Sequence, residues 1–307
     1  MKYADLNRPV PVGFPLAAAG MRQRLTDYLA LAKPRLNLLV IATSMVGFYL
    51  GSRGPLDVLG LLQTAIGTAF VAGGAAGLNQ VAERDTDGLM ERTRHRPLPG
   101  GRLSPGEARA VSWLAISAGL AQLTFTVNVV AALVALTSLV VYTGIYTPLK
   151  RRTPLATLVG AVPGALPPLI GWASARGTLT LEAWTLFAIV FFWQIPHFNA
   201  IAWLYRDDYR RAGLALLPVL EPDGRRTGRQ SVLFAALLGG AAVSPSLVGL
   251  SGPGYAAGAC ALSLAFFVLA LRFAFDRSTP RARWLFYGSL AYLPILWSLA
   301  MMGRTGP

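Results

Sequence analysis

The sequence predicts an all-α, polytopic membrane protein of about nine transmembrane helices around a central cavity. Three observations lead there. Of the 307 residues, 54% are hydrophobic and only 14% charged, against roughly 25% charged in soluble domains, and the mean hydropathy is +0.49. Apolar runs of the roughly 20 residues that a bilayer-crossing helix needs recur along the chain. Basic residues concentrate in alternate connections between those runs.

The runs follow in order. Arg35–Ser52 comes first, preceded by Arg22, Arg24, Lys33 and Arg35. Leu59–Ala82 carries Gly73 and Gly77 at a spacing suited to close helix packing. Ala108–Val127 and Val129–Thr147 are next. Leu155–Ala175 is broken by Pro163, Pro167 and Pro168, and a broken helix within a bilayer needs protein or a cavity around it. Trp184–Tyr205, Ser231–Leu250, Gly254–Phe275 and Trp284–Met302 complete the set.

Arginines and lysines crowd the connections after the second, fourth, sixth and eighth runs, whereas the intervening connections hold little beyond Arg53 and Arg176. The positive-inside rule then places the N-terminus in the cytoplasm and the C-terminus outside. Residues 1–30 read as a cytoplasmic segment without the apolar core of a secretory signal or the pattern of a transit peptide. A bacterial inner membrane is the expected location, with residues 31–303 as a single transmembrane domain. The net charge of +14 sits between apolar runs rather than in one stripe, which argues against nucleic acid. The lone Cys260 excludes an internal disulfide.

Two cytoplasmic loops, about 83–107 and 205–229, exceed what a helical hairpin needs, and long loops in compact domains are usually functional. Each follows the second helix of a four-helix set and opens with acids, a faint sign of internal duplication. In the first, Asn79, Glu83 and Asp87 recur every fourth residue. At about 100° per residue they share one helical face within about 80°, and Asp85 points elsewhere. Magnesium takes oxygen ligands, usually one or two carboxylates plus substrate phosphates. The C-terminal end of a helix favours a cation. Asn79 should lie within the bilayer, where a polar side chain is a functional candidate. The arginines that follow suit an anion. The pattern points to a magnesium-diphosphate site at a membrane surface.

These residues carry a resemblance. Asn79-x-x-x-Glu83-x-x-x-Asp87, followed by Arg92, Thr93, Arg96 and Pro97, resembles the first motif of the UbiA-type intramembrane prenyltransferases. The likeness extends to Lys33-Pro34-Arg35, to Tyr146–Pro154, to Gly164–Trp172, to Pro196-His197-Phe198 and to Tyr205–Val219. The Pro-His-Phe and Asp-Asp-Tyr segments point to the branch that acts on heme. The resemblance implies farnesyl transfer from farnesyl diphosphate to a vinyl group of heme B, giving heme O. It implies a magnesium cofactor on Asn79, Glu83, Asp87 and Asp208, and diphosphate contacts from Arg92, Arg96, Lys150, Arg151, Lys33 and Arg35. Asp207 and Asp208 are adjacent here, where much of the superfamily spaces its second pair four apart; Asp208 is slightly favoured as the ligand. Tyr146 is expected to stabilise a cation or bind a phosphate oxygen. His197 would either contact heme or satisfy the carbonyl freed by Pro196. Other expected partners are the lipid bilayer and a downstream heme-modifying enzyme or oxidase assembly factor. The competing readings are a prenyltransferase acting on a quinone precursor and a transporter of an anionic lipid or cofactor.

Overall fold

The computed structural model describes residues 20–305, so the expected N-terminal segment enters the description only from Gly20. Helix α1 (Met21–Leu31) meets α2 (Pro34–Gly51) at a 50° bend. The bend has a local cause. Pro34 disfavours a right-handed helical residue before it, and Lys33 adopts φ 49°, the one non-glycine residue with positive φ among those described. That conformation costs about 1–2 kcal/mol and must be held by its surroundings.

Asp57 caps α3 (Val58–Ala82) by accepting from the Gly60 amide at 2.9 Å. The short α4 (Arg84–Gly88) follows. Ser104 caps α5 (Pro105–Gln122), which ends in a π-helical turn at Leu123–Val127. Asn128 caps α6 (Val129–Val140), which passes through a second π-helical turn, Val141–Tyr146, into α7 (Thr147–Leu149). The expected break in the fifth span falls at Leu166, between α8 (Ala156–Ala165) and α9 (Pro167–Arg176). The remainder is α10 (Leu181–Leu204), α11 (Arg206–Arg211), α12 (Leu217–Leu220), α13 (Arg225–Leu247), α14 (Pro253–Phe275) and α15 (Thr279–Met302).

Among the described residues eight helical spans are long and apolar enough to cross a bilayer, and α2 with its bent partner α1 makes a ninth candidate. Their outer faces carry exposed Leu38, Leu39, Leu62, Leu114, Leu133 and Leu264, as a lipid-facing surface should. Helices α2, α3 and α5 pack in sequence; α10, α13, α14 and α15 form a second group; α15 touches α2 and joins the two. Helix α9 lies against α2, α3, α6 and α10 and carries the fully buried Trp172. It approaches α2 backbone to backbone: a Cβ on Gly171 would meet the Ser44 carbonyl, and one on Gly47 the Pro168 carbonyl. Gly77 belongs to helix packing as expected, since a Cβ there would meet Ser112 of α5.

One local expectation changes. The helix carrying Asn79 does not run on through Asp87. It stops at Ala82, and Glu83 (φ −100°, ψ 8°) is the joint before α4. Asp85 and Asp87 then occupy the first turn of the new helix, where acids are favoured by the macrodipole.

Candidate active site

Asn79 and Asp87 are buried and Glu83 is largely buried, and each is held by a cation from a different part of the chain. Lys33 Nζ donates to Asn79 Oδ1 at 3.1 Å. Lys150 Nζ donates to Glu83 Oε1 at 2.6 Å, both side chains being about one-sixth exposed. Arg96 Nη1 donates to Asp87 Oδ2 at 2.6 Å. Asp85, as its spacing implies, is turned out to solvent at 89% exposure. The orientation of the Asn79 amide follows from its neighbours. Its Nδ2 donates to Thr147 Oγ1 at 3.1 Å, and Thr147 spends its own proton on the Tyr142 carbonyl at 2.8 Å. Asn79 Oδ1 therefore faces Lys33 and the Tyr142 hydroxyl, which donates to it at 3.1 Å.

Tyr142, Tyr146 and Lys150 recur at every fourth residue, the first two within the π-helical turn. Tyr142 and Tyr146 stack at 5.7 Å, and Lys150 Nζ lies 4.4 Å from the Tyr146 ring centre, a cation–π contact. Such turns are frequent at functional sites. Gly160 leaves room for the Tyr146 ring, because a Cβ there would meet it. Lys33 lies at the bend between α1 and α2, with the bases Arg96 and Lys150 nearby.

The second loop closes over the first. Met90 of loop 83–107 packs with Ala212 and Leu214, flanked by Tyr209 and Leu216. The Ala215 amide donates to the Lys150 carbonyl at 2.9 Å, and the Arg92 guanidinium lies 5.7 Å from the Tyr205 ring centre. Burial raises the pKa of the Tyr209 phenol, although Arg92 and Lys150 oppose the shift. The adjacent aspartates differ sharply. Asp208 is 12% exposed and pairs with Arg211, whereas Asp207 is 71% exposed and pairs with Arg210. Tyr205 (φ −112°, ψ 22°) joins α10 to α11 in nearly the conformation in which Glu83 joins α3 to α4. The two loops thus start alike, consistent with duplication.

Arg35 and Arg151 are exposed and make no hydrogen bond or ion pair among the described residues. His95 accepts from Arg94 Nε at 3.1 Å in an exposed setting. His197 does not take the carbonyl freed by Pro196. Its Nδ1 lies 2.7 Å from Ser289 Oγ, and the ring stacks on Trp193 at 4.8 Å and Phe286 at 5.4 Å. Ser289 donates its own proton to the Phe286 carbonyl at 2.5 Å. The imidazole must then donate from Nδ1, which leaves Nε2 with a free lone pair. Sequence reasoning missed Tyr142 and Thr147; their only signal was a place one helical turn from Tyr146 and Lys150. It also missed the buried Asp27, which accepts from Arg102 Nε at 2.9 Å and ties the first loop to α1.

The donor set fits a hard divalent cation. One amide and two carboxylate oxygens lie in succession, and ammonium and guanidinium groups already sit on them as positive partners. No three His, Cys, Asp or Glu side chains converge among the described residues. A magnesium ion there would need substrate oxygens to complete its shell, which is its usual habit.

Comparison with known proteins gives the family. The profile of the UbiA prenyltransferase family matches residues 40–297. A protoheme IX farnesyltransferase of Solibacter usitatus is 43% identical over 291 residues, covering 92% of this chain and all of that protein. One from Salinibacter ruber is 44% identical, covering 91% of this chain and 98% of the relative. The mitochondrial protoheme IX farnesyltransferase of Arabidopsis thaliana is 38% identical, covering 90% of this chain and 64% of the plant protein. Among solved structures, a digeranylgeranylglyceryl phosphate synthase superposes with TM-score 0.78 at 16% identity, covering 92% of this chain and 98% of that one. A UbiA homologue from Archaeoglobus fulgidus bound to GPP and Mg2+ superposes with TM-score 0.66 at 16% identity, covering 89% and 99%. The chain belongs to the UbiA prenyltransferase family.

Proposed function

We propose that this protein transfers the farnesyl group of farnesyl diphosphate to a vinyl group of heme B, forming heme O, with magnesium as cofactor. The observation that carries the reaction class is the run Asn79, Glu83, Asp87, each oxygen paired with a base from another segment. The donor and acceptor are supported by full-length likeness to proteins named protoheme IX farnesyltransferase.

Asn79, Glu83 and Asp87 would hold the metal, with Asp208 from the second loop as the most enclosed further carboxylate. When bound, magnesium neutralises the diphosphate and makes it a better leaving group. As the diphosphate enters, Lys150 and Arg96 exchange their carboxylates for phosphate oxygens, and Arg92 approaches from the same loop. These bases stabilise the charge that grows on the departing oxygen. Cleavage of the C1–O bond leaves an allylic cation, and the Tyr146 ring face is placed to stabilise it. A vinyl carbon of heme B forms the new bond to C1. Water adds to the resulting porphyrin-side cation and loses a proton, giving the hydroxyethyl group. Exclusion of bulk water by the two packed loops delays hydrolysis of the allylic cation. The free Nε2 of His197 suits the heme iron. The charge of the loops supports a site on the cytoplasmic side of the membrane.

The test is incubation of the purified protein with heme B, farnesyl diphosphate and magnesium, followed by mass analysis for heme O. Asp87→Ala should insert in the membrane and form none. Prenylation of an aromatic quinone precursor but not of heme would overturn the acceptor. Normal turnover by Asp87→Ala would overturn the ligand set.

A further inference from the structure

The end of the bundle opposite Asn79 holds a second built site. Helix α2 starts at the acidic site and ends there, and its 18 residues span about 27 Å. Basic residues are scarce at this end. Arg53, Arg176 and Arg304, from three distant parts of the sequence, all line one cavity of about 430 Å³, together with Glu182 and Trp172.

Two of the guanidiniums are held in place. Arg176 Nε donates to the Gly51 carbonyl at 2.5 Å, and the group lies 5.1 Å from the Trp172 ring centre. Arg304 donates to the Ser52 carbonyl and lies 5.1 Å from the Tyr49 ring centre. The segment carrying Arg304 is itself pinned, with the Gly252 amide donating to the Gly303 carbonyl at 2.8 Å. Capping the C-terminus of α2 explains one donor from each of these arginines. It leaves most of their five N–H groups uncommitted. None of the three arginines forms an ion pair among the described residues, and Glu182 is the only acid lining the cavity. Three cations against one carboxylate in one cleft describe an oxyanion site.

We propose that this cavity binds the phosphate of an anionic lipid headgroup in the leaflet opposite the acidic site. The exposed Leu181 and Leu247 adjoin the lining residues Glu182 and Val248 and offer an apolar rim for the acyl chains. The propionates of a porphyrin reacting at the acidic site do not reach this far, because the two ends are separated by the length of α2.

The experiment is native mass spectrometry of the full chain released from nanodiscs of mixed phosphatidylglycerol and phosphatidylcholine. The wild type should retain one phosphatidylglycerol more than Arg53→Gln/Arg304→Gln, whose affinity should fall about tenfold. Arg109→Gln, an exposed base at the other end, should match the wild type. Arg304 also caps α2, so two milder variants guard against misfolding: Arg53→Gln, which removes no hydrogen bond, should weaken retention, and Glu182→Gln should strengthen it. Equal retention by wild type and Arg53→Gln overturns the proposal. Thermal protection of the wild type by inorganic phosphate, with no phosphatidylglycerol retained, overturns the lipid assignment and leaves a free-phosphate site. Lipid retention is read without substrates, so either outcome is independent of prenyl transfer.

Discussion

The Glu83–Lys150 pair separates a structural role from a chemical one. The two groups meet at 2.6 Å, and the side chains are 16% and 15% exposed. Removing one member leaves the other charge largely buried and unpaired, a loss of about 3–5 kcal/mol in stability, with the lower figure favoured by residual solvent contact. Glu83→Gln and Lys150→Met should each show it as earlier thermal unfolding in nanodiscs. The double variant should recover most of that stability, with a coupling of about 2–3 kcal/mol. Turnover should behave otherwise. Lys150→Met removes the proposed donor to the departing diphosphate and should slow heme O formation about 10²–10³-fold. The double variant should stay at least as slow, because neither a metal ligand nor a phosphate donor returns. If heme O formation recovers together with stability, the pair is only a strut and the assignment of these residues to diphosphate chemistry is wrong.

Three further outcomes are expected. Gly160→Ala should push the Tyr146 ring, costing about 1–3 kcal/mol by overpacking and about 10²-fold in turnover by displacing the Lys150 platform; unchanged kinetics in this variant would remove Tyr146 from the reaction. Asp208→Asn should slow magnesium-dependent diphosphate release strongly and Asp207→Asn little, following their burial; the reverse order would exchange their roles. His197→Ala should abolish the Soret shift on heme titration, and Ser289→Ala should weaken heme binding about 10–100-fold by freeing the imidazole tautomer. A Soret shift unaltered in both variants would exclude iron ligation.

Much of the fold was legible because bilayer thickness imposes one length on every span. Runs such as Ala108–Val127 and Gly254–Phe275 lie within three residues of the helices Pro105–Val127 and Pro253–Phe275. The break at Leu166 was equally visible in its prolines. The joint at Glu83 was not, since nothing in Ala82-Glu83-Arg84 forbids a continuous helix; in the fold Lys150 pairs with Glu83 at the joint and Arg96 with Asp87 beyond it. The proposed oxygen ligands stand out in the sequence by their period of four, and Arg96 follows Asp87 in the same loop. Lys33 and Lys150 come from distant positions, and only tertiary folding brings them to Asn79 and Glu83. Tyr142 had no signal beyond its place one helical turn from Tyr146; its contact with Asn79 is made across the fold.

The mutual pairing of acids and bases has a consequence for the order of loading. Glu83 and Asp87 are balanced by Lys150 and Arg96. A divalent ion arriving alone would strand two bases, and a pyrophosphate ester arriving alone would strand two acids, each at a desolvation cost of several kcal/mol. The pair arriving as one complex would carry about one net negative charge, which the Lys33 ammonium beside Asn79 can offset. On the proposed ligand set, this pairing disfavours half-loaded states, and bond cleavage would wait until both ligands are present.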